Sequence, residues 1–229
     1  MAIFLTAEWR DLALLNYIVD PALLEPFVPP ATELDFCGGK AWISLVGFRF
    51  LRTRLLGVRV PFHHNFPEVN MRFYVRRREG GAVRRGVVFL REIVPRRAIA
   101  AVARLAYHEN YLAVPMSSLV EPDRVEYRWR HGGSWTSLHL EASGEGAPAE
   151  EGSHQQFITE HYWGYSRRLE YEVRHPVWRV RAATRAWLDG DTSSLYGPDF
   201  ARILARQPDS AFLADGSTVT VFRPRRLAD

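Results

Sequence analysis

Hydrophobic and polar residues alternate with a period of two along most of the chain, which predicts a protein built mainly of β-strands. Two pairs of such segments flank the dipeptides Gly80-Gly81 and Gly132-Gly133. Because paired glycines adopt the left-handed conformations of tight turns, each pair of segments is predicted to form a hairpin. The predicted strands are 33–37, 40–53, 68–78, 83–94, 124–130, 135–142, 169–174, 177–187 and 218–223.

Helices are fewer and shorter in the pattern. Asp20 followed by Pro21 is typical of a helix start, because Asp caps free N–H groups and proline suits the first turn. Ser153 is a second predicted cap. The predicted helices are 20–27, 96–108, 153–162 and 199–206. Many strands with a few helices predict an α+β fold that is mainly β: a mixed, mainly antiparallel sheet, closed or nearly closed into a barrel, with peripheral helices.

Composition indicates a chain with a substantial hydrophobic core. Its 229 residues, 47% of them hydrophobic, suit one large domain or two small ones. The one biased segment, 142–153, is rich in Gly, Ala and Glu and predicts a flexible exposed loop. Neither flank of this segment looks complete without the other. We therefore expect a single domain over residues 1–229.

The charge pattern and the cysteine content limit which classes of partner and which cellular compartment we expect. The formal net charge is +4, but the basic residues alternate with acidic ones and form no nucleic-acid motif. Apolar stretches are too short to span a membrane, and Glu8 and Arg10 interrupt the N-terminal segment, which argues against a signal peptide. Cys37 is the only cysteine, which excludes an intramolecular disulfide. We expect a cytoplasmic protein without nucleic-acid or membrane partners; a homo-oligomer is left open.

The most informative segment is EVNMRFYV, residues 68–75. Alternation places Glu68, Asn70, Arg72 and Tyr74 on one side of the strand and apolar residues on the other. Two interpretations are open: a half-buried strand whose polar side is in water, or one whose polar side faces an interior pocket. Residues 68 and 72 lie about 13 Å apart along a strand, so they cannot pair directly. If buried, each needs another partner or a ligand.

Other motifs give weaker indications. His161 and His175 could each act as a general base, although a surface or hydrogen-bonded core role is the commoner one for a histidine. The chain contains no HExxH, GxSxG, GxGxxG or P-loop motif. We therefore expect no metal and no cofactor.

Six segments stand out in order along nearly the whole chain: WRDLALLNYIVDPALLEPFVP, ELDFCGGKAWISLVGFRF, FPEVNMRFYV, ARLAYHENY, FITEHYWGY and RHPVW. As a set, they resemble a bacterial family of unknown function typified by YqjF. That family is similar in fold to acetoacetate decarboxylase, so the resemblance implies a barrel-like α+β domain with an interior pocket. It also implies that the polar side of 68–75 faces inward.

The resemblance also bears on the chemistry. Acetoacetate decarboxylase acts through a lysine Schiff base, from a lysine pair in a segment resembling R-E-x-x-G-Y-P-K-K. The most similar run here is REIVPRR, which places Arg96 and Arg97 at the lysine positions. Arginine stays protonated and forms no imine, and the sole lysine, Lys40, lies beside a predicted turn. The resemblance therefore implies that the lysine-imine mechanism is absent.

The sequence favours two functions over two weaker alternatives, lysine-imine decarboxylation on Lys40 and a protein-interaction role. One is an enzyme for a small carboxylate or carbonyl compound, with proton transfer of the lyase or isomerase type and no Schiff base. The other is a non-catalytic module that binds a small organic acid or carbonyl ligand in the same pocket. The candidate residues are Glu68 and Tyr74 for catalysis, and Asn70, Arg72, Arg104 and Tyr111 for ligand binding.

Overall fold

The computed structural model describes residues 2–59 and 62–227. The described residues form sixteen strands and three α-helices. The helices are α1 (Arg97–Tyr107), α2 (His154–Thr159) and α3 (Ser193–Leu204). The strands are β1 (Ile3–Val19), β2 (Glu33–Leu34), β3 (Ala41–Leu55), β4 (Val58–Arg59), β5 (Phe66–Glu79), β6 (Ala82–Val94), β7 (Tyr111–Ala113), β8 (Met116–Glu121), β9 (Arg124–His131), β10 (Ser134–Ala142), β11 (Ala147–Pro148), β12 (Trp163–Tyr165), β13 (Leu169–Arg174), β14 (Arg179–Asp189), β15 (Ser210–Phe222) and β16 (Arg225–Arg226).

Seven strands form a nearly closed ring in the order β13, β12, β6, β5, β3, β1, β15. The ring closes where β13 pairs with β15 over two residue pairs, Val173 with Val221 and Arg174 with Thr220. Neighbours in the ring are antiparallel except β12 and β6, which run parallel. The predicted fold class, mainly β with a mixed and nearly closed sheet, is confirmed.

Strands β14, β10, β9 and β8 continue the sheet from β15 and pack against the outside of the ring. Tyr127 and Trp129 of β9 are buried in one apolar core with Val69 and Met71 of β5. The approach is close, since a Cβ at Gly47 of β3 would lie 2.5 Å from Cδ2 of Tyr127. Both sides of β5 are therefore buried, one by this outer core and one by the interior of the ring.

The strand predictions are largely confirmed, including both glycine hairpins. β1 was not predicted, because Leu12 and Leu15 at its centre are buried on opposite sides and the segment shows no alternation. β15 begins eight residues before the predicted 218, at Ser210. Residues 33–37 form a shorter strand than predicted, followed by an isolated bridge between Cys37 and Lys40.

The helix predictions need more correction. Residues 20–27 form two 3-10 turns instead of one helix, although Asp20 does cap the first turn by accepting from the Ala22 N–H. α3 begins at Ser193, six residues before the predicted 199, and bends at Gly197. No described helix combines the length and the hydropathy needed to cross a bilayer.

A bulge in β6 determines which residues enter the ring. Met71 of β5 pairs with Arg91, whereas its neighbour Arg72 pairs with Phe89, so Leu90 is an extra residue on β6. A one-residue bulge shifts the alternation of every residue that follows it. Phe89 and Glu92, three positions apart, consequently both line the ring interior.

Candidate functional site

The ring and helix α1 enclose a cavity of about 250 Å³. Aromatic side chains form much of its wall: Trp9 makes edge contacts with Phe48, Phe50 and Trp178, and Phe50 stacks on Phe66 with ring centroids 4.7 Å apart. Fewer polar than apolar side chains line the cavity, and most of the polar ones belong to two clusters, one acidic and one around Arg72. The polar side chains of the lining are Thr53, His63, Glu68, Asn70, Arg72, Glu92, Tyr107, Glu109, Tyr111, Thr159, His161, Tyr171 and His175.

The polar side of β5 faces this cavity. Glu68, Asn70 and Arg72 line it and are only 2%, 3% and 9% exposed. The alternative interpretation, a polar side in water, is wrong because the ring strands enclose that side of β5. The alternation of the sequence therefore located three cavity residues on one strand.

Tyr74 continues the same side of β5 but does not line the cavity. Its hydroxyl lies 2.5 Å from Oγ of Ser44, which donates to Oδ1 of Asn16 at 2.6 Å. Its ring also packs on His161, with centroids 4.8 Å apart. Tyr74 is thus part of a buried polar chain behind the cavity wall, where its side chain does not reach a ligand in the cavity.

The two predicted binding residues outside β5 lie in different places. Tyr111 lines the cavity and donates from its hydroxyl to Oε2 of Glu68 at 3.1 Å. Arg104 is exposed on α1, and its Nε donates back to the carbonyl oxygen of Ala100 at 3.2 Å. α1 turns a side with small and aliphatic residues toward the cavity, so the prediction of Arg104 as a ligand contact is not supported by its position.

One polar group of the cavity is acidic. Asn70 donates to Oε1 of Glu68 at 3.2 Å, and the Tyr171 hydroxyl donates to Glu109. Glu92 contributes a third carboxyl, which hydrogen-bonds Glu109 and keeps Oε2 without a partner. Three carboxyl groups thus share one buried region with two phenols.

Burial changes the protonation of these carboxyls. Loss of hydration raises the pKa of Glu68 to about 8 and that of Glu109 to about 7. The same cause, together with the neighbouring carboxylates, raises the pKa of Glu92 well above its ordinary value. An uncharged carboxyl is an O–H donor as well as an acceptor. Near neutral pH this end of the cavity therefore holds protons and carries little negative charge.

The second polar group centres on Arg72. Its Nη2 donates to the carbonyl oxygen of Ile158 at 3.1 Å, and its guanidinium lies 5.8 Å from the centre of the Tyr74 ring. Its buried Nε has no hydrogen-bond partner. Within residues 2–59 and 62–227, no carboxylate forms an ion pair with Arg72. A buried cation without a counter-ion is costly, and a bound anion would neutralise it.

Two histidines accompany Arg72, and both are kept uncharged. His161 has its Nε2 3.2 Å from Oδ2 of Asp35. His175 has its Nδ1 2.9 Å from the carbonyl oxygen of Pro176 and stacks on a cavity tryptophan. Burial, reinforced by the charge of Arg72, lowers the pKa of each histidine to about 4.

The sequence did not predict Glu92, Glu109 or Tyr171 as site residues. Glu92 enters the cavity only because of the bulge at Leu90, which a pattern of alternation does not show. Glu109 follows α1, whose end is set by His108 in the left-handed conformation. The one available signal was that ARLAYHENY, which contains Glu109, carries part of the family resemblance.

Within the described part of the chain, no lysine lines the cavity, and the usual metal-ligating side chains do not form a metal-binding cluster. Lys40, Arg96 and Arg97 are exposed and none of them lines the cavity. Among the described residues, no three His, Cys, Asp or Glu side chains are grouped so as to hold a metal ion.

Comparison with known proteins places the chain in a family. The model of a family of uncharacterized conserved proteins, DUF2071, matches residues 6–218. The uncharacterized protein YqjF of Bacillus subtilis (strain 168) is 31% identical over 184 residues, which cover 76% of this chain and 74% of that protein.

Solved structures show the same fold at low identity. An acetoacetate decarboxylase from Legionella pneumophila superposes with a TM-score of 0.73 at 13% identity, covering 100% of this chain and 88% of that one. The enduracididine biosynthesis enzyme MppR, complexed with pyruvate, gives 0.70 at 12% identity, covering 100% and 92%. The chain therefore belongs to the DUF2071 family, with YqjF, and has an acetoacetate decarboxylase-like fold.

Proposed function

We propose that this protein is an enzyme that binds a small organic acid at Arg72 and moves a proton next to a carbonyl group of that acid, without a lysine imine. One observation carries the proposal. A guanidinium that is 9% exposed and has no carboxylate partner shares a cavity with buried glutamates whose pKa is raised.

The charge balance of the cavity favours an anionic ligand. The acidic end is largely protonated near neutral pH, because burial raises the pKa of Glu68 to about 8. Arg72 keeps its charge, since a guanidinium does not deprotonate in proteins. A carboxylate on Arg72 would gain charge-assisted hydrogen bonds from the unpartnered Nε and from the remaining N–H groups.

Glu68 is the proposed proton donor. A carboxyl with a pKa near the working pH is well matched to proton transfer. Asn70 and Tyr111 hold its two oxygens at 3.2 and 3.1 Å, which fixes its orientation. A carbonyl oxygen bound between Glu68 and the Arg72 end would accept a hydrogen bond from the protonated carboxyl, and this would stabilise negative charge on that oxygen.

The structural neighbours are consistent with this class of ligand. One is named as a decarboxylase of acetoacetate, and another is complexed with pyruvate; both compounds are oxo acids. The present chain has arginines where a lysine pair would be expected, and its only lysine is exposed. We therefore propose the same general ligand class with a different chemical step.

A non-catalytic binding module is the second candidate. The aromatic wall around Trp9, Phe50 and Trp178 is consistent with it, because apolar walls with a few convergent polar groups are typical of small-molecule sites and can hold a ligand without any proton transfer. The two candidates share the contact at Arg72 and differ in whether Glu68 exchanges a proton with the ligand.

One experiment separates the candidates. The protein is screened by thermal shift against small carboxylic, 2-oxo and 3-oxo acids, and each stabilising acid is then incubated with it in D2O. An enzyme of the proposed kind introduces deuterium beside the carbonyl or changes the compound, as followed by proton NMR. Glu68→Gln should abolish this exchange, whereas Glu141→Gln, a matched change on β10, should leave it intact.

Each outcome decides between the candidates. An acid that stabilises the wild type but returns without deuterium supports the binding module. Stabilisation that persists unchanged in Arg72→Met contradicts the proposed anion site in either form. Exchange that continues in Glu68→Gln shows that another group moves the proton.

A further inference from the structure

We infer that His161 is a second proton-transferring residue of this cavity, a base that faces the ligand through Nδ1, and that Asp35 is its positioning residue. The inference rests on the proposed function and extends it, because it supplies the proton acceptor that Glu68, as a donor, leaves undefined.

Asp35 is itself firmly held. Its Oδ2 accepts from Nε of Arg85 at 2.7 Å and lies 3.2 Å from Nε2 of His161. Its backbone N–H donates to the carbonyl oxygen of Tyr74 on β5 at 3.0 Å. Contacts with Arg85 and His161 hold the pKa of Asp35 below its ordinary value despite burial. Asp35 is therefore a fixed carboxylate, which is an acceptor only.

A fixed acceptor decides the tautomer of the ring. A neutral imidazole carries one N–H, and the Asp35 carboxylate requires it at Nε2 of His161. Nδ1 is then the nitrogen with a free lone pair. Nδ1 is buried and has no hydrogen-bond partner, while the residue lines the cavity. Because buried polar atoms are normally satisfied, an acceptor left open beside a cavity indicates a ligand.

The surroundings keep this nitrogen unprotonated. The charged or titratable groups that face His161 are Asp35, Arg85, Arg72 and Tyr74. Burial and the two arginines oppose a positive charge on the ring more strongly than Asp35 favours it, so the pKa of His161 is lowered to about 4. His161 therefore keeps a lone pair available next to the proposed anion site.

His161 and Glu68 together complete a balanced proton transfer. The base takes a proton from the carbon beside the carbonyl, and the C–H electron pair forms the C=C bond of an enol. The carbonyl oxygen takes the proton of Glu68. The step leaves His161 positive and Glu68 negative, and its reverse restores both groups, so no co-reactant is needed. Two groups whose environments move their pKa values in opposite directions are typical of such acid–base pairs.

The tautomer can be tested without a substrate. In protein labelled with 15N-histidine, the His161 signals are assigned by their loss in His161→Gln, with N-acetylhistidine as an internal standard. We expect an unprotonated Nδ1 and a protonated Nε2 throughout pH 5 to 8. The standard, with a pKa of about 6.5, should be about 97% protonated at pH 5. A protonated Nδ1 at neutral pH would overturn the inference.

The role of Asp35 is tested by the same spectra. Asp35→Asn removes the obligatory acceptor, because an amide can also present its NH2 group, so a population with the proton on Nδ1 should appear. Asp189→Asn is the matched control, since Asp189 lies 3.3 Å from a different histidine, His139. An unchanged His161 tautomer in Asp35→Asn would remove the positioning role.

The catalytic role is tested with the acids that stabilise the protein in the thermal-shift screen. His161→Gln should slow deuterium exchange at least tenfold while the thermal shift persists, because the base does not hold the carboxylate. An exchange rate within twofold of the wild type would refute the inference, while the loss of exchange in Glu68→Gln would preserve the proposed function. If no acid exchanges in the wild-type protein, the proposed function fails and the base role fails with it, whatever the tautomer.

Discussion

Strand β5 carries two buried arginines, five positions apart, in opposite electrostatic situations. Arg77 is 6% exposed and forms an ion pair with Glu170 at 2.9 Å and a longer one with Glu79 at 3.6 Å. Arg72 is almost as buried, yet its contacts are a carbonyl oxygen and an aromatic ring. The side chains of the two residues are chemically identical, so the difference lies in what the fold provides around them.

The comparison shows that burial of a charge does not by itself mark a functional site. Arg77 belongs to a network in which Glu170 also pairs with Arg225 at 2.5 Å, and this network closes the region next to β16. Arg72 instead faces a cavity and lacks a counter-ion. A buried cation whose partner is missing is the more informative feature, because the fold tolerates its cost at that place.

The largest expected effect is a loss of stability when Arg77, the arginine with ion-pair partners, loses its main partner. Glu170→Gln leaves Arg77 buried without its main partner, so the free energy of unfolding should fall by roughly 3 kcal/mol. Urea denaturation at pH 7 measures this change. Glu172→Gln, which removes an acid paired with the exposed Arg174, should cost less than about 1 kcal/mol. Equal losses in the two variants would contradict the distinction.

The next effect concerns the unpaired arginine. Arg72→Met removes a charge that has no partner, so unfolding should change by less than about 1 kcal/mol. The same substitution should weaken binding of a small carboxylate about 30-fold, equal to about 2 kcal/mol, because hydrogen bonds to a charged group are lost. Calorimetric titration with an acid from the screen measures it. Unchanged affinity in Arg72→Met, or an equal loss of affinity in Arg77→Met, would contradict the proposal that Arg72, and not Arg77, binds the carboxylate.

A smaller effect should appear in the pH dependence of stability. The pKa of Glu68 is raised from its ordinary 4.5 to about 8, so the stability it confers is complete below about pH 4.5 and is lost as the pH rises through 8. Glu68→Gln, which stays uncharged, should lose less stability than the wild type over this range. The lowered pKa of His161 acts on the acid side, below about pH 6.5, in both proteins. Tm of the wild type and of Glu68→Gln is measured from pH 4 to 9 at constant ionic strength. The same decrease of Tm with rising pH in both proteins would contradict the prediction.

The smallest expected effect is at Lys40. It is exposed and does not line the cavity, so Lys40→Arg should leave the thermal shifts and any deuterium exchange unchanged. Borohydride added with acetoacetate should leave the wild-type mass unmodified. An adduct on Lys40 would instead support imine chemistry.

Much of the fold followed from local pattern, and part of the site did too. Alternation along 68–75 correctly grouped Glu68, Asn70 and Arg72, because on a strand the side of a residue depends only on its parity. The same rule put Tyr74 on the correct side, but Ser44 and His161 cover Tyr74 there and keep it from lining the cavity. Whether a position is odd or even tells on which side of a strand its side chain lies. Whether that side chain lines a cavity depends on the residues that pack against it.

The residues that were not predicted depend on non-local or irregular features. His161 was predicted as a possible general base, but its partner Asp35 was not, because the two residues are 126 positions apart and no spacing rule connects them. Glu109 and Tyr171 meet because α1 ends where the ring brings β13 alongside. The central strand β1 was hidden for the opposite reason, since burial on both sides erases alternation.

The bulge at Leu90 has a consequence for how this cavity could evolve. Arg91 and Glu92 are adjacent on β6 and point to opposite sides, and the extra residue selects the acid for the interior. If the bulge were straightened with Leu90 retained, Leu90 would pair with Met71 and Arg91 with Asn70, which would present the guanidinium inward and turn the carboxyl away. The electrostatic character of the interior is therefore encoded partly in a local irregularity of strand pairing, so related chains that keep these residues but pair them without the bulge would present a base there instead of an acid.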